Sequence, residues 1–332
     1  MRRRFFFKAT ALAGVFFLAT FILYAFSPVG GEEKGVIVEI PRGTGFRGIV
    51  EILDGAGLVA NRPYFTLLAL VKGAARQIRA GEYEFSASMS PTEIIDRLVQ
   101  GQIKVHIVTI PEDLTVREIA ARLAAEGLVD EKAFLALASD RAFLSSLGIE
   151  ADSVEGYLFP ETYHLDRSMT PREIMGIMVR QFWKAATPQM RKRAEEMGLS
   201  VHEWVVMASL IGKETGYRAE KPLIAAVFYN RLKKGMKLQC DPTAVYDLEN
   251  FNGVIRRVHL RRDHPYNTYV IYGLPPGPIG NPGLDSLKAA LYPAKVPYLY
   301  FVSTGNGSHQ FSASLEEHNL AVSRYQIQMK KR

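Results

Sequence analysis

Residues 200–216 carry the feature that most restricts how this chain can fold, a single carboxylate on an otherwise apolar helical stripe. Ser200 and Glu203 have the spacing of a capping box, which predicts a helix start. Apolar residues then recur at helical spacing, and Glu214 continues their face just before Gly216, a typical helix stop. The apolar positions are Trp204, Met207, Ala208 and Ile211. The pattern predicts a buried helix with an acid in its last turn.

A glutamate in this place is poorly suited to stabilising a helix. The negative end of the helix dipole and the apolar neighbours both disfavour the ionised carboxylate of Glu214. Both therefore raise its pKa toward that of a working general acid. The alternative is a solvated glutamate beside Lys213, which is the usual environment of this residue type. Position alone leaves both interpretations open.

A second helix is predicted over residues 220–234, because Pro222 falls in its first turn and Gly235 follows its end. Asn230 lies on the apolar face of this helix, so its amide must be hydrogen-bonded, either within the core or to a ligand. Asp241 stands directly before a proline and has the form of a helix N-cap.

Three motifs in this part of the chain resemble the signature of the YceG-like endolytic murein transglycosylase family. They are ASLIGKETG at 208–216, VFYNRL at 227–232 and LQCDPT at 238–243. Later segments are similar to the same family and follow in its order, namely YNTY at 266–269, GLPPGPI at 273–279, NPG at 281–283 and PYLYFV at 297–302. The resemblance covers nearly the whole chain.

Two residues depart from the family pattern. Gly212 stands where the family usually has a glutamate, and Cys240 stands where it usually has serine or threonine. With glycine at 212, Glu214 is the only carboxylate left in the motif. The resemblance therefore implies that Glu214 is the catalytic residue.

The activity that the resemblance implies is endolytic cleavage of peptidoglycan glycan strands after N-acetylmuramic acid, leaving 1,6-anhydro ends. Glycosidases that retain or invert configuration need two carboxylates. A lytic transglycosylase can use one, because a hydroxyl of the sugar itself is the nucleophile. Asp241 is the candidate second carboxylate of a hydrolytic muramidase, which is one alternative. Another is a non-catalytic glycan-binding scaffold of the cell-wall synthesis machinery.

The stretch from 238 to 281 is rich in loops and aromatic residues, a composition that suits a sugar-binding cleft. Its tyrosines can stack on sugar rings, although tyrosines of this kind are often packing residues. Its proline-glycine run at 275–280 excludes helix and central strand. The side chains predicted to contact the glycan are Asn230, Gln239, Asp241, Thr243, Tyr246, Tyr266, Asn267, Thr268, Tyr269 and Asn281.

Composition excludes several other classes of protein. One cysteine among 332 residues rules out an internal disulfide, and the seven histidines show no metal-binding spacing, so we expect neither a metal nor a cofactor. The formal charge of +7 includes short basic clusters. No nucleic-acid recognition module accompanies them, so we expect no nucleic-acid partner.

The N-terminus predicts attachment to a membrane. A basic tail at 1–8 precedes an uncharged run at 9–29, which is long enough to cross a bilayer as a helix. Arginines before the run place the N-terminus in the cytoplasm and the rest outside the bacterial inner membrane. A cleaved signal peptide is the alternative. The resemblance adds peptidoglycan synthases of the division or elongation machinery as partners.

The remaining chain is predicted to be α+β. Residues 30–105 show a strand-helix-helix-strand order, as in LysM-like glycan-binding modules, with a simple spacer as the alternative. Ile40-Pro41 recurs as Ile110-Pro111, and Gly57-Leu58-Val59 as Gly127-Leu128-Val129, which predicts a related second unit at 106–160, closed by a strand at 156–160. Residues 161–332 form the predicted catalytic domain.

Overall fold

The computed structural model describes residues 2–30, 35–249 and 251–330. The chain divides into two compact units, residues 1–107 with 164–169 and residues 108–163 with 170–332. Helices dominate both, and the described residues form three two-stranded sheets, so the α+β class is confirmed. The predicted domain boundaries at 30–105, 106–160 and 161–332 stay predictions.

The first unit has the strand-helix-helix-strand order that the sequence predicts. Its elements are α1 (Arg2–Phe26), β1 (Gly35–Ile40), α2 (Phe46–Gly55), α3 (Arg62–Val71), a 3-10 turn (Ala74–Arg76), β2 (Gly81–Ser86) and α4 (Pro91–Gln100). The two strands pair antiparallel, with Gly35 opposite Ser86 and Ile40 opposite Gly81. One apolar core lies between this sheet and the helices, with Leu53, Phe65 and Ile94 fully buried. The likeness to a LysM module stays a prediction.

The end of α1 packs on this unit. Ala25 is buried, and its carbonyl oxygen accepts a hydrogen bond from Thr92 Oγ1 at 2.7 Å. Among the described residues, no helix combines the length and hydropathy that a membrane crossing requires. The transmembrane helix predicted at 9–29 therefore has no support from the structure.

The second unit contains the predicted catalytic helix. Its elements begin with β3 (His106–Thr109), α5 (Val116–Ala125), α6 (Glu131–Leu137), α7 (Arg141–Ser146), β4 (Thr162–Leu165), α8 (Pro171–Ala185) and α9 (Pro188–Glu196). They continue with α10 (Val201–Glu214), α11 (Lys221–Lys233), a 3-10 turn (Asp241–Ala244), α12 (Arg257–Leu260), α13 (Leu284–Leu291), β5 (Tyr300–Ser303), β6 (His309–Ser312) and α14 (Leu315–Lys330). β3 pairs with β4, and β5 pairs with β6. The division between the units falls within β3 and β4.

The strand predicted at 156–160 is wrong. The segment has no regular strand, and β4 begins only at Thr162. Gly156 adopts a φ of +88°, and the backbone N–H of Leu158 donates to the side chain of Asn281 at 2.8 Å instead of to a neighbouring strand. A hydrogen bond to a side chain far along the chain thus takes the place of the strand-to-strand hydrogen bonds that the local pattern predicted.

Helix α10 is the centre of the second unit and begins with the predicted capping box. The side chain of Ser200 accepts a hydrogen bond from the backbone N–H of Glu203. In return, the Glu203 carboxylate accepts one from the backbone N–H of Ser200 at 2.8 Å. Trp204 is fully buried, and its Nε1 donates to the carbonyl of Leu287 in α13 at 2.9 Å. α13 and α11 pack against α10, which fixes the position of its C-terminal end.

Candidate active site

Glu214 is the last residue of α10 and is only partly exposed. The helix ends because Thr215 is extended, with a φ of −148°, so termination does not depend on Gly216. The carboxylate of Glu214 accepts hydrogen bonds from the Cys240 thiol and from the backbone N–H of Asp241. Its two donors thus come from the segment that follows α11.

The environment raises the pKa of Glu214 to about 7. Burial is the largest cause, and the nearby carboxylate of Asp241 adds to it. The Cys240 thiol, the Asp241 backbone N–H and the Arg231 guanidinium act in the opposite direction. A carboxyl group with this pKa can both donate and accept a proton near neutral pH, as an acid–base catalyst must.

Two buried threonines hold Cys240 in place. The backbone N–H of Cys240 donates to Thr268 Oγ1 at 2.9 Å, and Thr243 Oγ1 donates to the Cys240 carbonyl at 2.6 Å. The two threonine hydroxyls lie 2.8 Å apart. Burial and the nearby carboxylates of Glu214 and Asp241 raise the pKa of the thiol far above its usual range, so it stays protonated and remains a donor.

Arg231 connects α11 to the same segment. Its guanidinium donates to the carbonyl of Leu238 at 2.8 Å, to Oε1 of Gln239 at 3.2 Å and to the carbonyl of Leu299 at 2.7 Å. Gln239 is exposed and has a φ of +51°, unusual for a residue other than glycine. The guanidinium therefore holds a strained turn directly before the residue that contacts Glu214.

Asp241 is exposed and accepts a hydrogen bond from the hydroxyl of Tyr269. It is the first residue of the 3-10 turn, and Cys240 occupies the N-cap, so the predicted N-cap role of Asp241 is wrong. Pro242 fits the first turn whether Asp241 or Cys240 is the N-cap, because proline is tolerated at the first helical positions. Asp241 remains the exposed carboxylate next to Glu214.

Sequence reasoning missed a second buried carboxylate, Glu155. It accepts hydrogen bonds from the backbone N–H of Val116 at 3.1 Å, from the hydroxyl of Tyr246 at 2.9 Å and from Nδ2 of Asn281 at 2.8 Å. Burial raises its pKa to about 7 against these hydrogen bonds. Its partners come from three distant segments, so no local pattern could have revealed it.

The ten residues predicted to contact the glycan separate by exposure. Four are fully buried and bonded within the protein: Thr243, Asn267, Thr268 and Asn281. Asn230 is partly buried, and its Nδ2 donates to the carbonyls of Val296 and Tyr298, both at 2.9 Å. Five have exposed or partly exposed side chains: Gln239, Asp241, Tyr246, Tyr266 and Tyr269. Contact with glycan stays a prediction for all ten.

Two cavities lie beside Tyr246 and Tyr266, each lined by one of these tyrosines. One, of about 710 Å³, is lined by residues from three segments, 115–135, 242–255 and 279, and by Lys213 of α10. The other, of about 580 Å³, has Glu155, His202 and Tyr266 in its wall. Tyr246 lines the larger cavity, and its ring lies 4.9 Å from that of Tyr266. The walls contain neighbours of Glu214 and Asp241 in the chain but not Glu214 itself.

Within residues 2–30, 35–249 and 251–330, no group of three or more histidine, cysteine, aspartate or glutamate side chains is suited to a metal ion. The charged groups that act on the pKa of Glu214 are Asp241, which raises it, and Arg231, which lowers it. The site is thus a partly buried acid held by a thiol and a backbone N–H.

Comparison with known proteins places this geometry in context. The model of the YceG-like family matches residues 38–324. An endolytic murein transglycosylase of Bacillus subtilis is 35% identical over 318 residues, covering 90% of this chain and 87% of the relative. One of Streptococcus pneumoniae is 30% identical and covers 96% of this chain, although this chain spans only 64% of that relative's length. A 2.6 Å crystal structure of a YceG-like protein of Listeria monocytogenes matches with a TM-score of 0.60 and 33% identity over 87% of this chain and all of that chain.

Proposed function

Because the chain belongs to the YceG-like family, we propose that it is an endolytic murein transglycosylase, a lyase that cuts peptidoglycan glycan strands. Relatives with that name match over most of the chain, which supports the activity. The observation that carries the assignment to a site is Glu214, a partly buried acid with its pKa raised to about 7. Glu155 has a similarly raised pKa but is buried and bonded within the fold, whereas Glu214 is partly exposed beside the exposed carboxylate of Asp241, where a substrate can reach it.

The chemistry follows from one carboxyl group that changes its protonation state. Glu214 donates its proton to the glycosidic oxygen as the bond to C1 of N-acetylmuramic acid breaks. The resulting carboxylate takes the proton of the C6 hydroxyl of the same sugar as that oxygen bonds to C1. The acid is thereby regenerated, and the product carries a 1,6-anhydro ring. No water is consumed.

The Cys240 thiol and the Asp241 N–H suit this cycle. They hydrogen-bond the ionised form of Glu214 and so offset part of its burial cost. Without them, the proton would be held too tightly to leave near neutral pH. With them, both protonation states are accessible in turn.

A hydrolytic muramidase is the second candidate, because Asp241 places an exposed carboxylate next to Glu214. Such an enzyme needs its second carboxylate to activate water or to attack the sugar. Tyr269 donates a hydrogen bond to this carboxylate and so occupies one of its oxygens, which favours the lyase.

The proposed location and partners rest on the sequence. Because the proposed substrate is peptidoglycan, the protein acts at the cell wall. Attachment to the inner membrane through residues 9–29 rests on their uncharged composition and the arginines before them. Glycan binding by residues 30–105 and association with peptidoglycan synthases rest on the resemblance. Recovery of the full chain from the soluble fraction of lysed cells would contradict the anchor.

The products test the activity directly. The full chain is incubated with purified sacculi, and the released fragments are analysed by mass spectrometry and by a reducing-sugar assay. A lyase gives fragments of several disaccharides that are one water lighter than hydrolysis products and lack a reducing end. Ordinary reducing ends would favour the muramidase, and no release at all would overturn both enzymes.

A further inference from the structure

Gln239 has a strained backbone although its side chain is exposed. Its φ of +51° lies in the left-handed region, which residues with a β-carbon rarely adopt. Its backbone N–H donates to the carbonyl of Thr268 at 3.1 Å, and the N–H of Cys240 donates to Thr268 Oγ1 at 2.9 Å. These two hydrogen bonds hold the turn in place. Strain of this kind concentrates at functional sites, because elsewhere it only destabilises the fold.

The side-chain amide of Gln239 has a fixed orientation. Nη1 of Arg231 lies 3.2 Å from Oε1 of Gln239. A guanidinium has donors only, so the amide atom that faces it must be the oxygen. The Nε2 group therefore points away from Arg231, and it has no hydrogen-bond partner in the described part of the chain. Gln239 thus presents an oriented N–H donor at the surface.

Arg231 keeps its own position without Gln239. Its guanidinium is buried and also donates to the carbonyls of Leu238 at 2.8 Å and of Leu299 at 2.7 Å. These backbone acceptors come from two different segments. Removal of the Gln239 amide therefore leaves the guanidinium bonded and the surrounding fold intact.

The oriented donor lies beside the catalytic acid. Gln239 directly precedes Cys240, so their α-carbons are about 3.8 Å apart. The Cys240 thiol and the backbone N–H of Asp241 bond the carboxylate of Glu214. Cys240 is buried, whereas Gln239 and Asp241 on either side of it are exposed, and Glu214 is partly exposed. A sugar strand that reaches Glu214 therefore passes next to the amide of Gln239.

We propose that Gln239 is a substrate-binding residue whose Nε2 donates a hydrogen bond to the acetamido carbonyl of a sugar next to the bond that is cut. The guanidinium of Arg231 orients this donor, and the strained backbone places it beside Glu214. A fixed N–H donor requires an acceptor, and the acetamido carbonyl is the strongest uncharged acceptor that each sugar of the strand carries. This inference rests on the proposed function.

Glycan strands with and without acetamido groups test this contact. Uncross-linked strands are N-deacetylated, and a portion is re-acetylated to give the matched substrate. The kcat/KM of the wild type falls at least about tenfold on the deacetylated strands. Q239M has no N–H donor, so its kcat/KM is about tenfold below that of the wild type on re-acetylated strands and within about twofold of it on deacetylated strands. An equal loss in Q239M on both substrates, or no loss on either, would overturn the proposal.

Q239G separates this contact from a structural role of the turn. Glycine adopts a φ of +51° without strain, so Q239G melts at a higher temperature than Q239M, yet its kcat/KM on re-acetylated strands is as low. Wild-type kcat/KM in Q239G would refute the proposal. The controls Q189M and E195Q, which change exposed side chains of α9, behave as the wild type on both substrates. Failure of the wild type to release product from either substrate would instead refute the proposed function.

Discussion

The thiol of Cys240 donates a hydrogen bond to the carboxylate of Glu214, the acid at the end of the central helix. A thiol is a weak donor, and it stands where the family usually has a hydroxyl. This contact lowers the pKa of Glu214, whereas burial raises it. The strength of the donor at position 240 should therefore set the pH at which the enzyme works.

Substitutions of Cys240 should move the pH profile in opposite directions. C240S replaces the thiol with a stronger donor, so the pKa of Glu214 falls and the limb of the kcat profile that it controls moves to lower pH. C240A removes the donor, and the same limb moves to higher pH. The measurement is kcat against pH from 5 to 9, with melting temperatures as the control. An unchanged limb in both variants would mean that another group controls it.

Thr268 should contribute to stability through the backbone of Cys240. T268V leaves the N–H of Cys240 without its acceptor and removes the partner of Thr243, in a fully buried place. We expect a loss of roughly 1–3 kcal/mol in the free energy of unfolding, as for other buried groups left unpaired. Urea denaturation measures this loss. T268S keeps the hydroxyl and serves as the matched control, with a smaller loss expected.

Glu155 should make the stability of the second unit depend on pH. Its folded-state pKa of about 7 lies above the usual value of 4.5, so the protonated form is favoured by folding. This contribution is complete below about pH 4.5 and is lost as pH rises through about 7, a difference of roughly 3 kcal/mol. E155Q is permanently neutral, so its stability should fall less between pH 5 and 8 than that of the wild type. Thermal denaturation at several pH values measures this. Stability that falls equally with pH in E155Q and in the wild type would contradict this account.

Removal of residues 1–29 should affect the first unit and leave the chemistry intact. The deletion takes away Ala25, which is buried there, and the contact of Thr20 Oγ1 with the hydroxyl of Tyr64 at 3.1 Å. Calorimetry should show a lower melting temperature for one transition. Release of fragments from sacculi by the shortened protein should stay within about threefold of the full chain, since all residues placed in the site lie beyond 110. A much larger loss of release would show that the N-terminal segment takes part in cleavage.

Elements governed by local rules could be predicted from the sequence. The predicted capping box at Ser200 is present, because it depends on a side chain and an N–H only three residues away. Ser90 and Thr115 begin their helices in the same way. α13 (Leu284–Leu291) and the hairpin of β5 and β6 likewise join residues that are close along the chain. The raised pKa of Glu214 was also predictable, because burial on the apolar stripe is its main cause.

Features that join distant segments could not be predicted. Glu155 has partners 39, 91 and 126 residues away, and Asp113 meets Gly212 from another part of the chain. Asn267 illustrates a different difficulty. Its amide suits a sugar ligand, yet its Nδ2 donates to the carbonyl of Arg262 at 2.7 Å. Amides serve equally well in either role, so residue type alone does not separate them.

The most direct test of the central claim compares the strand ends produced by the wild type and by E214Q. Glutamine keeps the size of the side chain but cannot donate the proton, so cleavage of sacculi should fall by about a hundredfold or more. The melting temperature should not fall, because burying a neutral amide costs less than burying a carboxylate. The account predicts 1,6-anhydro ends within strands from the wild type, none above background from E214Q, and unchanged cleavage by the control E195Q. Near-normal formation of anhydro ends by folded E214Q would contradict it.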